Sequence, residues 1–188
     1  MRWKDRWSPN GEWVVLLALV AEIGLFTAIA PRFSSITNVV EILRLSVELG
    51  LLAVALTPVV ISGGIDLSVG AMMGLAAVTF GAAYHDWRLP IAAAAAGALL
   101  VGALGGLLNA FLIARLGLAP LIVTLGSLSV FRGIAEGVTQ AAVNYTDFPS
   151  AFLQLGQGYL WGVVPAQLPV LVIAFVCYYL LLHRSVLG

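Results

Sequence analysis

Residues 62–70 read Ser-Gly-Gly-Ile-Asp-Leu-Ser-Val-Gly, and they lie between two long apolar stretches of the chain. Gly63 and Gly64 free the backbone to leave a helix, and Asp66 and Ser68 offer oxygens to the start of the next one. Within a membrane such a break must be buried in protein or face a water-filled cavity, because unpaired polar groups are costly in hydrocarbon. We interpret the stretch as part of a translocation path, and the simpler alternative is that Asp66 only caps a helix.

The composition indicates that the surrounding chain lies in a membrane. Of its 188 residues, 61% are hydrophobic and 10% are charged, whereas soluble domains average about 25% charged residues. Nine basic and nine acidic residues cancel, so the chain has no basic excess for binding nucleic acid. Cys177 is the single cysteine, which excludes an internal disulfide. The sequence predicts an all-α, polytopic transmembrane helix bundle in the lipid bilayer.

Apolar runs of roughly twenty residues, the length that crosses a bilayer, predict about six spans. They cover residues 13–30, 38–62, 67–84, 90–114, 118–137 and 168–182. Residues 1–12 are predicted to be a cytoplasmic interfacial segment, because their cations alternate with tryptophans. Residues 139–167 are rich in aromatic side chains and are also predicted to lie at the membrane interface.

The distribution of cations predicts the orientation, since cytoplasmic loops carry an excess of Lys and Arg. A cytoplasmic N-terminus gives five cations inside and two outside, namely Arg2, Lys4, Arg6, Arg115 and Arg184 against Arg32 and Arg88. Both termini are then cytoplasmic, and the helix break at residues 63–66 lies toward the cytoplasmic end of the second span. This position favours a hinge or a cytoplasmic gate over a binding site at the middle of the bilayer.

Three further patterns predict contacts between helices. Glu22 is expected to face the bundle, because an acid at the centre of a span costs about 2.5–3.5 kcal/mol against lipid. Arg44 shares a helix face with Glu41 and Glu48 and can pair with either. Gly-x-x-x-Gly motifs, which let helices approach closely, occur three times, at residues 70–74, 102–106 and 133–137.

Motifs for catalysis and for ATP binding are missing from the sequence. There is no G-x-x-x-x-G-K-[ST] loop, and Lys4 is the only lysine, so a Walker A site is excluded. His85 and His183 stand at opposite ends of the predicted topology, which argues against a histidine-based metal site. We therefore predict no enzyme activity, no cofactor and no metal, and the energy for any transport has to come from elsewhere.

The motif at residues 62–70 resembles that of the permease subunits of ribose-type sugar ABC importers, a group with ribose, xylose, arabinose, galactose, rhamnose and autoinducer-2 systems. Gly-Leu-Leu-Asn at residues 106–109 agrees as well, and so does Pro-Leu-Ile-Val-Thr-Leu-Gly at residues 120–126, followed by Phe-Arg-Gly at residues 131–133. The start of the second helix, residues 38–44, also fits. The chain departs at Ala110 and at Gln140-Ala141, where the family usually carries glycine.

The resemblance implies the permease component of an ATP-driven importer for a small sugar or sugar-like solute in the inner membrane, working by alternating access. It also implies three partners: a second permease subunit, a cytoplasmic ABC ATPase and a periplasmic solute-binding protein. Family members continue beyond residues 185–188 into a cytoplasmic loop and further spans. Residues 13–188 are therefore expected to be an incomplete permease domain, from a fragment or a shortened reading frame.

We predict that seven residues form the translocation path or gate: Gly63, Gly64, Asp66, Ser68, Asn109, Thr124 and Arg132. The alternatives are a helix cap for Asp66, an interhelical hydrogen bond for Asn109 and an ion pair between Arg132 and Glu136. Two other functions stay open. One is a secondary transporter with an ion site at a broken helix, and the other is a membrane fragment or scaffold that transports nothing.

Overall fold

The computed structural model describes residues 9–184, with side chains from Trp13 onward, and the chain is helical over most of this range. The helices are α1 Pro9–Ile29, α2 Ile36–Ile61, α3 Val69–His85, α4 Ile91–Ala110, α5 Pro120–Thr139, α6 Ser150–Gln157 and α7 Leu168–Arg184. The π-helical turn Phe111–Arg115 extends α4. Strands β1 Tyr159–Leu160 and β2 Val164–Pro165 pair antiparallel, so the segment predicted to be interfacial holds a helix and a hairpin.

The helix boundaries follow local chemistry. Ser35 precedes α2, and its hydroxyl accepts a hydrogen bond from the Asn38 N–H at 3.3 Å. Pro120 is the first residue of α5, where its missing N–H costs nothing, and α5 ends at Gln140 in the left-handed conformation with φ 51°. Helix α1 begins at Pro9, inside residues 1–12, whose interfacial location stays a prediction; residues 1–8 lie outside the described part of the chain.

Helix α3 packs against α4 and α5, and α2 packs against α7. The buried apolar side chains of the three-helix group are Leu75, Ala82 and Ala83 from α3, Ala94 from α4, and Val123 and Phe131 from α5. This small core is built mostly from short side chains, which allows the helices to lie close together. The helix break between α2 and α3 is therefore attached to the best-packed part of the chain.

Many large apolar side chains of this bundle are exposed, and several polar side chains are buried beside the apolar core. Leu99 and Ile122 are 76% and 71% exposed, whereas Ser68 and Thr124 are only 2% and 1% exposed. Apolar side chains outside and polar side chains inside are what hydrocarbon surroundings require. By length and composition, Ile91–Arg115 and Pro120–Thr139 can cross a membrane, and Trp13–Ile29, Val69–His85 and Leu168–Arg184 are shorter apolar helices. The count of six spans stays a prediction.

Close approach occurs at glycines other than those of the three Gly-x-x-x-Gly motifs. A Cβ atom added at any of the six motif glycines would meet nothing within 4 Å. At Gly81 the same atom would overlap the ring of Tyr145, and at Gly105 it would overlap the end of Met72. Among the described residues, none of the six motif glycines lies at a close helix contact, so the prediction that the motifs pack these helices together is wrong.

The predictions for the charged residues of α1 and α2 have different outcomes. Glu22 was expected to face the bundle, but its side chain is exposed on α1, so the described part of the chain does not cover it. Arg44 pairs with Glu41, one of its two predicted partners, with Nε 3.0 Å from Oε2. Tyr159 of β1 donates to the same carboxylate oxygen at 2.6 Å. The start of α2 is thereby tied to the hairpin.

Gly81→Ala is expected to lower the free energy of unfolding by about 1–3 kcal/mol, the usual cost of overpacking. The new methyl group would overlap the Tyr145 ring. Gly74→Ala, on the same helix with open space beside it, is the matched control, and it should be neutral or stabilising by up to about 1 kcal/mol. Denaturant titration of the purified protein in detergent measures both. Equal stabilities of the two variants would contradict the packing described for α3.

Candidate functional site

The Gly-Gly pair ends α2 with a Schellman motif. Gly63 adopts the left-handed conformation with φ +78°, and its N–H donates to the Val60 carbonyl at 3.0 Å. The N–H of Gly64 donates to the Val59 carbonyl at 2.8 Å, so two carbonyls at the helix end are satisfied. A Cβ atom at Gly64 would lie 3.1 Å from Val59 Cγ1. The left-handed backbone at Gly63 therefore favours glycine, and a side chain at Gly64 would crowd Val59.

Asp66 closes a turn directly before α3. Its Oδ1 atom accepts two hydrogen bonds from Ser68, one from the N–H at 2.8 Å and one from the hydroxyl at 2.7 Å. Ser68 itself is the N-cap residue of α3, so Asp66 lies two positions before the cap. The alternative of Asp66 as a plain helix cap is thus replaced by an Asx-type turn that orients the Ser68 hydroxyl.

The Ser68 hydroxyl is the centre of a buried chain of hydrogen bonds. It accepts from Asn109 Nδ2 of α4 at 3.0 Å while it donates to Asp66. Asn109 Oδ1 in turn accepts from the Ser127 hydroxyl of α5, which also lies 3.0 Å from the Val123 carbonyl. Ser68, Asn109 and Ser127 are 2%, 7% and 6% exposed. Asp66, α4 and α5 are thereby joined through side chains inside the bundle.

Thr124 provides a second attachment between the break and α5. Its hydroxyl lies 3.2 Å from the carbonyl oxygen of Ile65, and the side chain is almost fully buried. Ile65 belongs to the non-helical residues between α2 and α3, so its carbonyl has no helical partner. The irregular backbone is therefore anchored by the hydroxyl of a neighbouring helix, as a membrane interior requires.

The structure brings together most, but not all, of the predicted site residues. Asp66, Ser68 and Asn109 are joined by hydrogen bonds, and Thr124 bonds the Ile65 carbonyl of the same break, although Asn109 and Thr124 are distant from the break in sequence. Arg132 does not join it: its side chain is 72% exposed, and Nε donates to Glu136 Oε1 at 2.8 Å. The alternative of an ion pair for Arg132 is the one observed.

Ser127 belongs to the network but was not predicted as a site residue. It lies three positions after Thr124, so both hydroxyls face the same side of α5, and that spacing was the available signal. In the described part of the chain, Asp66 forms no ion pair within 4.0 Å, and no three His, Cys, Asp or Glu side chains group as for a metal ion. Hydroxyl, amide and carboxylate groups of this kind can bind a polar solute or hold a gate closed.

A second polar region lies at the opposite end of α3. Because an α-helix rises about 1.5 Å per residue, Ser68 and Asp86 are separated by roughly 27 Å along the axis of α3. The Tyr145 hydroxyl donates to Asp86 Oδ2 at 2.7 Å, and this bond raises the pKa of Tyr145. The bond from Tyr159 to Glu41 likewise raises the pKa of Tyr159. The bundle therefore carries polar contacts at both ends of an apolar middle.

The chain is similar to proteins of one family. Residues 38–188 match the family described as branched-chain amino acid transport system / permease component. The autoinducer 2 import system permease protein LsrD of Yersinia enterocolitica is 36% identical over 181 residues, which cover 92% of this chain and 54% of that protein. For the protein of the same name from Photorhabdus temperata the values are 36% over 180 residues, 93% and 53%.

The LsrD protein of Enterobacter sp. (strain 638) is 35% identical over 185 residues, which cover 95% of this chain and 56% of the relative. The chain thus spans about half the length of the curated relatives it matches. No solved structure matches it significantly. These findings confirm the resemblance that was drawn from residues 62–70 and from the two stretches that follow.

Thr124→Val is expected to increase amide hydrogen exchange at residues 63–67 roughly threefold, because an interhelical hydrogen bond in a membrane protein contributes about 0.6 kcal/mol. The valine keeps the shape but removes the donor to Ile65. Thr79→Val is the matched control, since Thr79 bonds only to the Leu75 carbonyl of its own helix. Mass spectrometry of both variants after deuterium labelling measures the amide exchange rate at residues 63–67. Unchanged exchange at the break in Thr124→Val would show that the anchor is not effective.

Proposed function

Because the chain belongs to the family described as branched-chain amino acid transport system / permease component, we propose that it is the transmembrane permease component of an ATP-driven importer. The solute is a small sugar or sugar-like molecule, as in the importer group that residues 62–70 resemble. The observation that carries the proposal is the buried network of Ser68, Asn109 and Ser127 at a helix break. Polar groups inside a membrane bundle are expensive, and they typically mark a solute path.

The break is proposed to act as a gate or hinge. Gly63 supplies the left-handed turn, Ser68 is bonded to α4, and the Ile65 carbonyl is bonded to α5 through Thr124. Any rotation of α4 or α5 therefore moves the residues between α2 and α3 as well. In alternating access, such coupled movements open one side of the path while they close the other.

The energy and the solute are proposed to come from partner proteins. Since the sequence has no ATP-binding loop, a cytoplasmic ABC ATPase hydrolyses ATP and a periplasmic binding protein delivers the solute. A second permease subunit completes the path, either identical to this chain or related to it. The names of the matched relatives mention autoinducer 2 import, which fits the importer group that the sequence resembles.

The proposed membrane topology has six spans in the inner membrane, with both termini in the cytoplasm. The spans are α1, α2, α3, α4 with its π-helical turn, α5 and α7, while α6 and the hairpin lie at the outer surface. This arrangement is supported by the cation distribution and by the helix ends. In this topology Ser68 and Asn109 lie toward the cytoplasmic ends of α3 and α4, and Ser127 lies about two turns inside α5 from its cytoplasmic end. The bonds of Tyr145 and Tyr159 join ends that face outward.

Uptake of labelled D-ribose, D-xylose and D-galactose is expected to depend on ATP in cells that express the chain together with a second permease subunit, a cytoplasmic ABC ATPase and a periplasmic binding protein. Arsenate, which depletes ATP, should stop uptake of the transported sugar, whereas an uncoupler of the proton gradient should not. Asn109→Leu should lower the uptake rate by about tenfold or more, which corresponds to about 1.4 kcal/mol, because Ser68 and Ser127 lose their shared partner. Asn144→Leu, at an exposed position outside the network, is the matched control.

The alternatives give different results in the same assay. Uptake that stops with the uncoupler and continues without ATP would favour a secondary transporter. If uptake of every tested sugar is the same with and without the gene, the chain is a membrane protein that does not transport these solutes. Equal uptake rates of Asn109→Leu and Asn144→Leu would show that the network is not part of the translocation path.

Cysteine labelling is expected to reveal the proposed orientation. In a Cys177→Ala background, which removes the only native thiol, Asn144→Cys should react with a membrane-impermeant maleimide in intact spheroplasts. Arg115→Cys should react only after the membrane is permeabilised, because the turn after α4 faces the cytoplasm. Both positions are exposed in the structure, so burial does not explain a difference. The reverse labelling pattern would show that the topology is inverted. Labelling of both cysteines from outside would exclude a membrane span between residues 115 and 144.

A further inference from the structure

A cavity of about 870 Å³ lies at the end of the bundle opposite the helix break. Its volume falls within the range of about 300–1,000 Å³ that is typical of small-molecule sites. The residues used below are Arg44 and Glu48 of α2, Asp147, Phe148 and Phe152 of the segment that follows α5, and Gln167 before α7. None of them belongs to the network at the break, so the cavity is a separate site.

One wall of the cavity is aromatic and well supported. The rings of Phe148 and Phe152 lie 5.6 Å apart at 55°, and both pack against Phe80 of α3, at 5.3 Å and 4.9 Å. The hydrogen bond from Tyr145 to Asp86 fixes the start of this segment on the end of α3. Both phenylalanines are half-buried, so they present a preformed apolar surface to the cavity.

The other wall carries hydrogen-bonding groups of both kinds. Arg44 supplies donors, and Glu48 and Asp147 supply carboxylate acceptors. Gln167 donates through Nε2 to the Gly156 carbonyl, whereas its Oε1 is buried without a partner among the described residues. A buried acceptor without a donor costs free energy, so a ligand hydroxyl that reached this amide would be favoured.

The charges decide which class of ligand fits. Arg44 is already paired with Glu41, which leaves the carboxylates of Glu48 and Asp147 to set a negative potential in the cavity. An anion would be repelled by these acids, and a cation cannot accept hydrogen bonds from Arg44. A hydroxyl group both donates and accepts, so it can use every polar group of this wall.

We propose that this cavity is a binding site for a neutral, polyhydroxylated ring, whose apolar face lies on Phe148 and Phe152 and whose hydroxyl groups face Arg44, Glu48 and Gln167. The inference rests on the proposed function, because it describes where the solute of the importer is first held by this chain. In the proposed topology the cavity opens to the outer side, at the entrance of the path.

Saturation-transfer difference NMR on the purified chain in lipid nanodiscs tests the site with four probes, because this method detects millimolar affinities. The neutral probes are D-ribose and D-galactose, the anion is ribose 5-phosphate and the cation is choline. The wild-type chain should transfer saturation to at least one neutral sugar more strongly than to either charged probe. Phe152→Ala and Gln167→Ala should reduce the transfer about fivefold or more, which corresponds to about 1 kcal/mol of binding.

The matched controls are Phe111→Ala and Gln154→Ala, which change exposed side chains away from the cavity and should keep full transfer. Glu48→Gln provides a variant that does not threaten folding, because it is isosteric and Glu48 is exposed. It should raise the signal of ribose 5-phosphate relative to D-ribose by about threefold or more, since one repelling charge is removed.

Three results would overturn the inference: no transfer to either neutral sugar, transfer that persists in Phe152→Ala and Gln167→Ala, or stronger transfer to choline or ribose 5-phosphate. The uptake assay separates this inference from the proposed function. If ATP-dependent uptake persists while the sugars fail to bind here, the cavity is not the site and the proposed function stands. If the sugars bind here but the gene makes no difference to uptake, the binding site stands and the transport function fails.

Discussion

The structure depends on how the irregular backbone between α2 and α3 is satisfied inside an apolar bundle. The chain leaves α2 through two backbone bonds to Val59 and Val60 and enters α3 through the turn of Asp66 and Ser68. The Ile65 carbonyl, which has no helical partner, is bonded by Thr124 of α5. In hydrocarbon each of these groups would cost several kcal/mol if it were left unpaired. Helices α4 and α5 are therefore fixed in place by the break as much as the break is fixed by them.

The hydrogen bonds between the helix break, α4 and α5 explain why polar side chains are buried inside the bundle. The small apolar core contributes modest packing, because it consists largely of alanines and a few larger side chains such as Leu75 and Phe131. The hydrogen bonds of Asn109 instead define which faces of α4 and α5 turn inward. Added Cβ atoms at the glycines of all three Gly-x-x-x-Gly motifs would meet no described residue within 4 Å. Hydrogen bonds of this kind fix the orientation of the helices toward one another and leave their apolar surfaces exposed.

The two polar regions at opposite ends of α3 suit different tasks. At the break, the hydrogen bonds are buried and joined to three helices, so they resist change unless those helices move together. At the other end, the cavity is open, and its walls are formed by residues that follow α5 and by the start of α2. Under the proposed function, a solute in the open cavity and a closed network at the far end would correspond to one conformation of an alternating-access cycle. Helix α3 extends between the two regions.

The sequence alone determined the helical class, the position of the break and the family, because these depend on local patterns. Helix boundaries follow from hydrophobic runs, from Pro120 and from Ser35, and a glycine such as Gly63 is the residue most often found where the chain leaves a helix in the left-handed conformation. Asn109, Thr124 and Ser68 could be named as polar residues in apolar helices, but not as neighbours. Only the tertiary structure decided that they meet, that Ser127 joins them and that Arg132 does not. It also decided that Gly81 and Gly105, not the motif glycines, lie at close contacts. The reason is that the rotation of each helix about its axis is set by contacts between residues 18 to 59 positions apart, which no local periodicity encodes.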